Sequence, residues 1–360
     1  VIKNTTEASI TNVATVTAKN NVALSAIDSS VIDALALGAA GAGTVGVGAA
    51  VSANVITNTI STLISGSTVT SSTGNVTLDS ESSSIIRALA IGVSGAGDVA
   101  VSVPALGNAV ANAVTSTVSN STVKAAGDVI INAQDIAPGI LPTWMLSADK
   151  QAELDSLLSD SPIDLSANIL AVMASVAGSG KVAVGASLMG NVVTNTVQAD
   201  IMNSTVLAGA NATTLNSENS NADVYLTALS RAAIIAISVG VGASGKVAIN
   251  ASGFGNVITN TTDASITGGS IVRSGGLVDL TAMDQSRISA VGLSIAASGS
   301  AAISAIVGAN VITNTIDALL SGSTVSSGST LDLVAESHAN IFSFAGGAAF
   351  SISGEGVGVA

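Results

Sequence analysis

Cysteine is missing from all 360 residues, so no disulfide staples this chain and no thiolate metal site is available to it. Such a composition is compatible with secreted bacterial repeat proteins. Aromatic residues make up only 2%. Charged residues make up 9%, against about 25% in an ordinary globular domain. These scarcities exclude a core of bulky side chains. The apolar 48% is mostly Ala, Val, Ile and Leu, accompanied by 37 Gly, and such residues pack in thin, closely spaced layers. Basic residues are scarcest of all, ten against 23 acids, for a net charge of −13. That balance argues against a nucleic-acid partner, which needs a basic surface, and against an anionic membrane surface.

What is present is repetition. Asn-Val-Ile-Thr-Asn-Thr or a close relative anchors each unit, with its second Asn, or the equivalent residue, at Asn4, Asn58, Asn112, Asn195, Asn260 and Asn314. Three of the intervals are 54 residues, and the other two exceed 54 by 29 and 11. Four residues before the anchor runs a second Asn column, Asn54, Asn108, Asn191, Asn256 and Asn310. A Gly column (Gly43, Gly97, Gly180, Gly245, Gly299) and an Ile column (Ile32, Ile86, Ile169, Ile234, Ile288) precede it. Val69, Val123, Val206, Ile271 and Val325 follow it at a constant distance. Between this last column and the next Ile, two units are longer, which places both extra segments at one corner of the unit. Residues 1–360 thus read as a single array, a fragment of a longer chain, interrupted by insertions at 134–165 and 210–222.

The segments are rich in Val, Ile and Thr and alternate with period two, so they are expected to be strands. Ile86, Ala88, Ala90 and Gly92 form a small-residue face; Arg87, Leu89, Ile91 and Val93 form a larger one. Gly-rich corners follow, and the residue after the Gly column varies freely, as at an exposed tip. The stretch from Ala34 to Ala53 has the length of a membrane helix, but its Gly and β-branched content and its charged equivalents oppose that reading. The expected fold is all-β, a parallel β-solenoid of about 54-residue repeats. Like-on-like stacking favours one wide turn per unit over several narrow rungs. Each Asn can then pass an amide hydrogen bond to the Asn of the next coil, making Asn54, Asn108, Asn191, Asn256, Asn310 and Asn58, Asn112, Asn195, Asn260, Asn314 two structural ladders.

The run from Ser67 to Ser80, an S-T-V strand followed by Gly-x-Val-x-Leu, resembles the coils of filamentous-haemagglutinin-type adhesins. The fuller unit, Ile-x-Ala-x-Ala-x-Gly, a Ser-Gly corner and Asn-Val-Ile-Thr-Asn-Thr, resembles repeats of giant bacterial surface adhesins and leukotoxin-like filamentous proteins. The resemblance implies a solenoid stalk or passenger region displayed outside the cell. It carries no catalytic residues over. The departures are Asn108 to Ala113, where Thr gives way to Ala, and the larger insertion.

No reaction chemistry is legible, and the chain reads as a non-enzyme without cofactor. The single histidine, His338, has no recurrent partner motif and is expected on an exposed turn. Asp79, Glu81, Asp128, Asp200, Asp263, Asp279, Asp317 and Asp332 are scattered over turns and outward positions, unlike the converging carboxylates of a polysaccharide-cleaving solenoid. The Gly-Gly-x-Gly-x-Asp calcium repeat is absent, which leaves calcium only at stray acidic turns; no metal ligands are assigned. The larger insertion holds Pro138, Pro142, Pro162 and Trp144. From Ser147 to Leu158 it reads as a short amphipathic helix with Leu154, Leu157 and Leu158 on one stripe. These residues either bind a partner, with Trp144 as anchor, or clamp the helix onto the solenoid. The expected role is a structural or adhesive surface stalk meeting a protein or glycan ligand. The alternatives are a fibre or sheath component that self-associates end to end or laterally and, further off, a polysaccharide-active enzyme.

Overall fold

Residues 54 apart in sequence stand side by side in space. Thr5 pairs with Thr59, Val45 with Val99, and Val31 with Ile85, all in parallel. Across the insertions the same columns still meet, Ile86 with Ile169 and Ile169 with Ile234. One repeat is therefore one wide turn of a parallel β-solenoid. This computed structural model describes residues 1–142, 149–150, 152–153, 156, 164–209, 221–352 and 356–360.

Each turn contributes to four parallel sheets. Sheet 1 holds strands such as Ile85–Ala96, and sheet 2 the long strands such as Val99–Ser119. Sheet 3 holds four-residue strands such as Thr122–Ala125, and sheet 4 strands such as Val129–Ile136. Like residues stack because a register slip of one would turn every side chain to the other face. The Ile column lies inside, with Ile86, Ile169, Ile234 and Ile288 fully buried. One apolar core fills the space between sheet 1 and the first half of sheet 2; a second lies among the rest of sheet 2, sheet 3 and sheet 4.

The small-residue parity faces in and the larger one faces out. Ala88 and Ala90 are buried, whereas Leu89 and Ile91 point outward. The cause is the narrowing of the coil toward the Gly corner, where sheets 1 and 2 touch through hydroxyls such as Ser175 and Ser102, 3.1 Å apart. Ala clusters fill that wedge. Farther from the corner the space widens to hold Leu106, Met189 and Phe254, successive members of one column; Gly308, next in that column, leaves room for the Phe254 ring.

Two backbone columns account for residues that must be Gly or Asn. At the sheet 2–sheet 3 corner Asn12, Gly66, Asn120, Asn203, Gly268 and Gly322 all have positive φ, a region other residues rarely enter. At the sheet 1–sheet 2 corner, a Cβ on Gly97, Gly180, Gly245 or Gly299 would strike the carbonyl oxygen of the preceding Gly of the column. The Gly column marks a close approach between coils.

Several expectations are corrected. Ile271 is not in the Val column: it pairs with Thr205, faces out, and leaves the buried place to Val272. The turn at Gly268 and Gly269 has one residue more than its neighbours, whereas the coil of Asn58 carries its extra residue one corner later, between Ser71 and Val76, so both coils count 54 and the shift is hidden. The two insertions leave from different corners. The larger follows sheet 4, because Gln134, Asp135 and Ile136 still pair with Leu229, Ser230 and Arg231. It starts beyond the expected residue 134, at a short antiparallel neck where Ile140 N donates to Leu165 O and Ala167 N to Pro138 O, both 2.9 Å. The smaller leaves between Thr205–Ala208 and Val224–Arg231, from sheet 3 to sheet 4. Of the expected helix, Asp149, Lys150, Ala152, Glu153 and Ser156 are helical. Trp144, Leu154, Leu157 and Leu158, like most of 210–222, lie outside the described residues.

Candidate functional site

The two Asn columns do different work. In the first, the side-chain amides form a continuous ladder: Asn54 Nδ2 donates to Asn108 Oδ1 (2.9 Å), Asn108 to Asn191 (2.8 Å), Asn191 to Asn256 (2.8 Å) and Asn256 to Asn310 (2.7 Å). The second column is not a ladder of that kind. There the backbone N of Asn112, Asn195 and Asn260 donates to the Oδ1 of the next Asn, at 3.0 to 3.1 Å. The acceptor of each bond, Asn195, Asn260 or Asn314, stands where sheet 2 breaks, whereas the donor Asn112 lies within an unbroken strand.

The freed Nδ2 groups of this column turn inward to buried carboxylates. Asp28 accepts from Asn4 (2.8 Å) and Asn58 (2.7 Å), and Asp135 from Asn112 (3.2 Å) and Asn195 (2.6 Å). Asp284 accepts from Asn260 (3.1 Å) and Asn314. Each carboxylate ties two coils. The three Asp alternate with Ser82, Ser230 and Ser337 in one sheet 4 column. Adjacent coils lie ~4.8 Å apart, so the Ser keep like charges about 10 Å from each other. Burial pushes Asp135 up to about 6, against the hydrogen bonds of Asn112 and Ser82 that lower it. Sequence reading missed this seam because the larger insertion breaks the constant spacing between the Asp and Asn columns.

On the outer face of sheet 2, Asp263 is pushed up to about 6 by burial and by the charges of Asp200 and Asp317. Asp200 is raised by burial and accepts a hydrogen bond from Ser265 at 2.7 Å. Asp263 and Asp317 are in register on successive coils. Among the described residues no group of three or more His, Cys, Asp or Glu is placed to hold a metal ion.

A polar cleft of about 430 Å³ lies at the corner from sheet 4 to sheet 1. Its floor is a column through successive coils: Ile136, then Arg231, then Gln285, which follows Asp284, then His338, which follows Ser337. The corner bonds Gln285 N to Ser230 O (2.8 Å) and His338 N to Asp284 O (2.7 Å) fix these positions. One wall is the neck of the larger insertion. Arg287 holds that wall, with Nη1 on Asp164 at 2.7 Å and Nη2 donating to Ser166 O at 2.8 Å. His338 is exposed on its turn, 3.3 Å from Glu336 Oε2.

The outer faces of sheet 1 and of the first half of sheet 2 are apolar. Leu35 and Leu37 on sheet 1 are each 64% exposed, as is Leu188 on sheet 2. An apolar hollow on sheet 1 is lined by Leu35, Leu89, Leu170, Val172 and Pro142, beside the Arg87–Asp33 ion pair at 2.6 Å. No helix among the described residues is long and apolar enough to cross a membrane. Comparison with family models, curated proteins and solved structures finds no match to this chain.

Proposed function

We propose that the chain is a structural and adhesive stalk or passenger region of a large secreted or cell-surface bacterial protein. The observation that carries this reading is the unbroken in-register stack, in which interior ladders and buried Asn–Asp ties join every coil to the next. Such a stack makes a stiff spacer that advances only ~4.8 Å per turn. Its loops are set outward, where a protein or glycan ligand can be met. Antibodies raised against the folded chain should label intact source cells or the culture medium. Labelling that appears only after permeabilisation overturns the reading.

A fibre or sheath component is the second reading, favoured by the outward-facing Leu and Val of sheets 1 and 2. Contiguous apolar surface of this kind is uncommon on monomers. The readings separate in sedimentation across a concentration series. A stalk sediments as one species, whereas a fibre component forms lateral bundles that a Leu35→Lys, Leu188→Lys double variant disperses.

A further inference from the structure

We propose that the corner cleft binds a small polyhydroxylated carboxylate of about hexuronate size, with its carboxylate on Arg231. This inference stands apart from the stalk reading and holds or fails without it.

The chain carries four arginines and one histidine against a net charge of −13. Two of those arginines and the histidine line this one cleft. The two arginines differ in state. Arg287 is committed to the insertion neck through Asp164 and the Ser166 carbonyl, and that ion pair cancels the wall's charge. Arg231 is exposed, and its guanidinium has no ion pair or hydrogen bond among the described residues. A guanidinium presents a planar fork that fits a carboxylate bidentately, and such charge-assisted pairs are about twice as strong as neutral ones.

The other lining groups suit hydroxyls. Gln285 and His338 stand one and two coils beyond Arg231, so the three donors span about 10 Å in a line, the reach of a substituted sugar ring. Asn340 adds an amide from the same corner. The volume is within the range of small-ligand sites, ~300–1,000 Å³. The negative charge of the whole chain does not decide the matter. At physiological salt, exposed charges beyond ~8 Å are largely screened, so the groups lining the cleft dominate.

The test is an NMR titration of the full chain with sodium glucuronate, glucose and sodium sulfate at matched ionic strength. Glucuronate is expected to shift the amide resonances of Arg231, Gln285 and His338, glucose to leave them in place, and sulfate to bind about tenfold more weakly. Arg231→Gln, at an exposed position, should keep the parental melting temperature and weaken glucuronate about tenfold, the loss of roughly one charge-assisted hydrogen bond. The proposal is overturned if glucuronate causes no shift, if glucose shifts the same residues equally, if sulfate binds as well, or if Arg231→Gln binds like the parent.

Discussion

A methyl group on Gly180 would strike the Gly97 carbonyl of the neighbouring coil, whereas one on Gly178, two residues earlier, meets nothing within 4 Å. Gly180→Ala is therefore expected to cost about 1–3 kcal/mol as an overpacked contact. Gly178→Ala should melt within a degree or two of the parent in a thermal scan, and equal losses at both sites would refute the close-approach account. The Asn ladder makes a second prediction. Asn191→Ala strands the amide of Asn108 and the Oδ1 of Asn256, both in fully or nearly fully buried side chains. Each stranded group costs about 1–3 kcal/mol, so chemical denaturation should show a loss of about 2–6 kcal/mol. An unchanged midpoint would mean that water or a shifted neighbour satisfies both.

The sheet 4 column of alternating Asp and Ser sets the behaviour of a whole element. Ser230→Asp would place three buried carboxylates on consecutive coils, Asp135, residue 230 and Asp284. Like charges that close cannot all ionise, so this variant should be destabilised at pH 7 and recover much of the loss near pH 4. The parent has a milder dependence of the same sign. Asp135 titrates at about 6 when folded and from 3.8 otherwise, so the folded state binds the extra proton between those values. Stability is full below about pH 4, falls as pH rises to about 6, and is level above, a change on the order of 3 kcal/mol. The raised Asp200 and Asp263 add to the same slope. Melting temperatures from pH 4 to 7 check this; Asp135→Asn should flatten the curve, and a parental curve rising over that window would contradict it.

Across the whole molecule, coils touch only their neighbours, so damage should stay local at first. Ile86→Asp places a carboxylate where the native side chain is fully buried, with a cost of several kcal/mol. Hydrogen exchange should lose protection in Val31–Ala42, Ile85–Ala96 and Ile169–Ser179, while Arg287–Ser298 keeps its own. Uniform loss across all coils would show one cooperative unit instead. The exposed Leu and Val of sheets 1 and 2 also act at this scale, because stacking places them in continuous rows that no single coil would present.

Period, strand character and the buried Ile column were legible because parallel stacking sets like residue against like, and a count along the chain reveals such columns directly. The Asn columns were visible for the same reason, and so was the amide ladder of the first, but the chemistry of the second was not. Whether an amide at Asn195 meets the next amide or Asp135 depends on what stands across the coil. The facing of the apolar parities follows from the Ile column, since Ile86, Ala88 and Ala90 share one parity, but its cause was hidden. Burial there follows from how close sheets 1 and 2 approach near Ser175 and Ser102, and alternation alone carries no such distance. Counting also misplaced Ile271, since its coil and that of Asn58 each hold one extra residue, at different corners, and so share one total length. The cleft had no sequence signature at all. Arg231, Gln285, Arg287 and His338 come from three different turns, and only the coiling of the chain brings them to one corner.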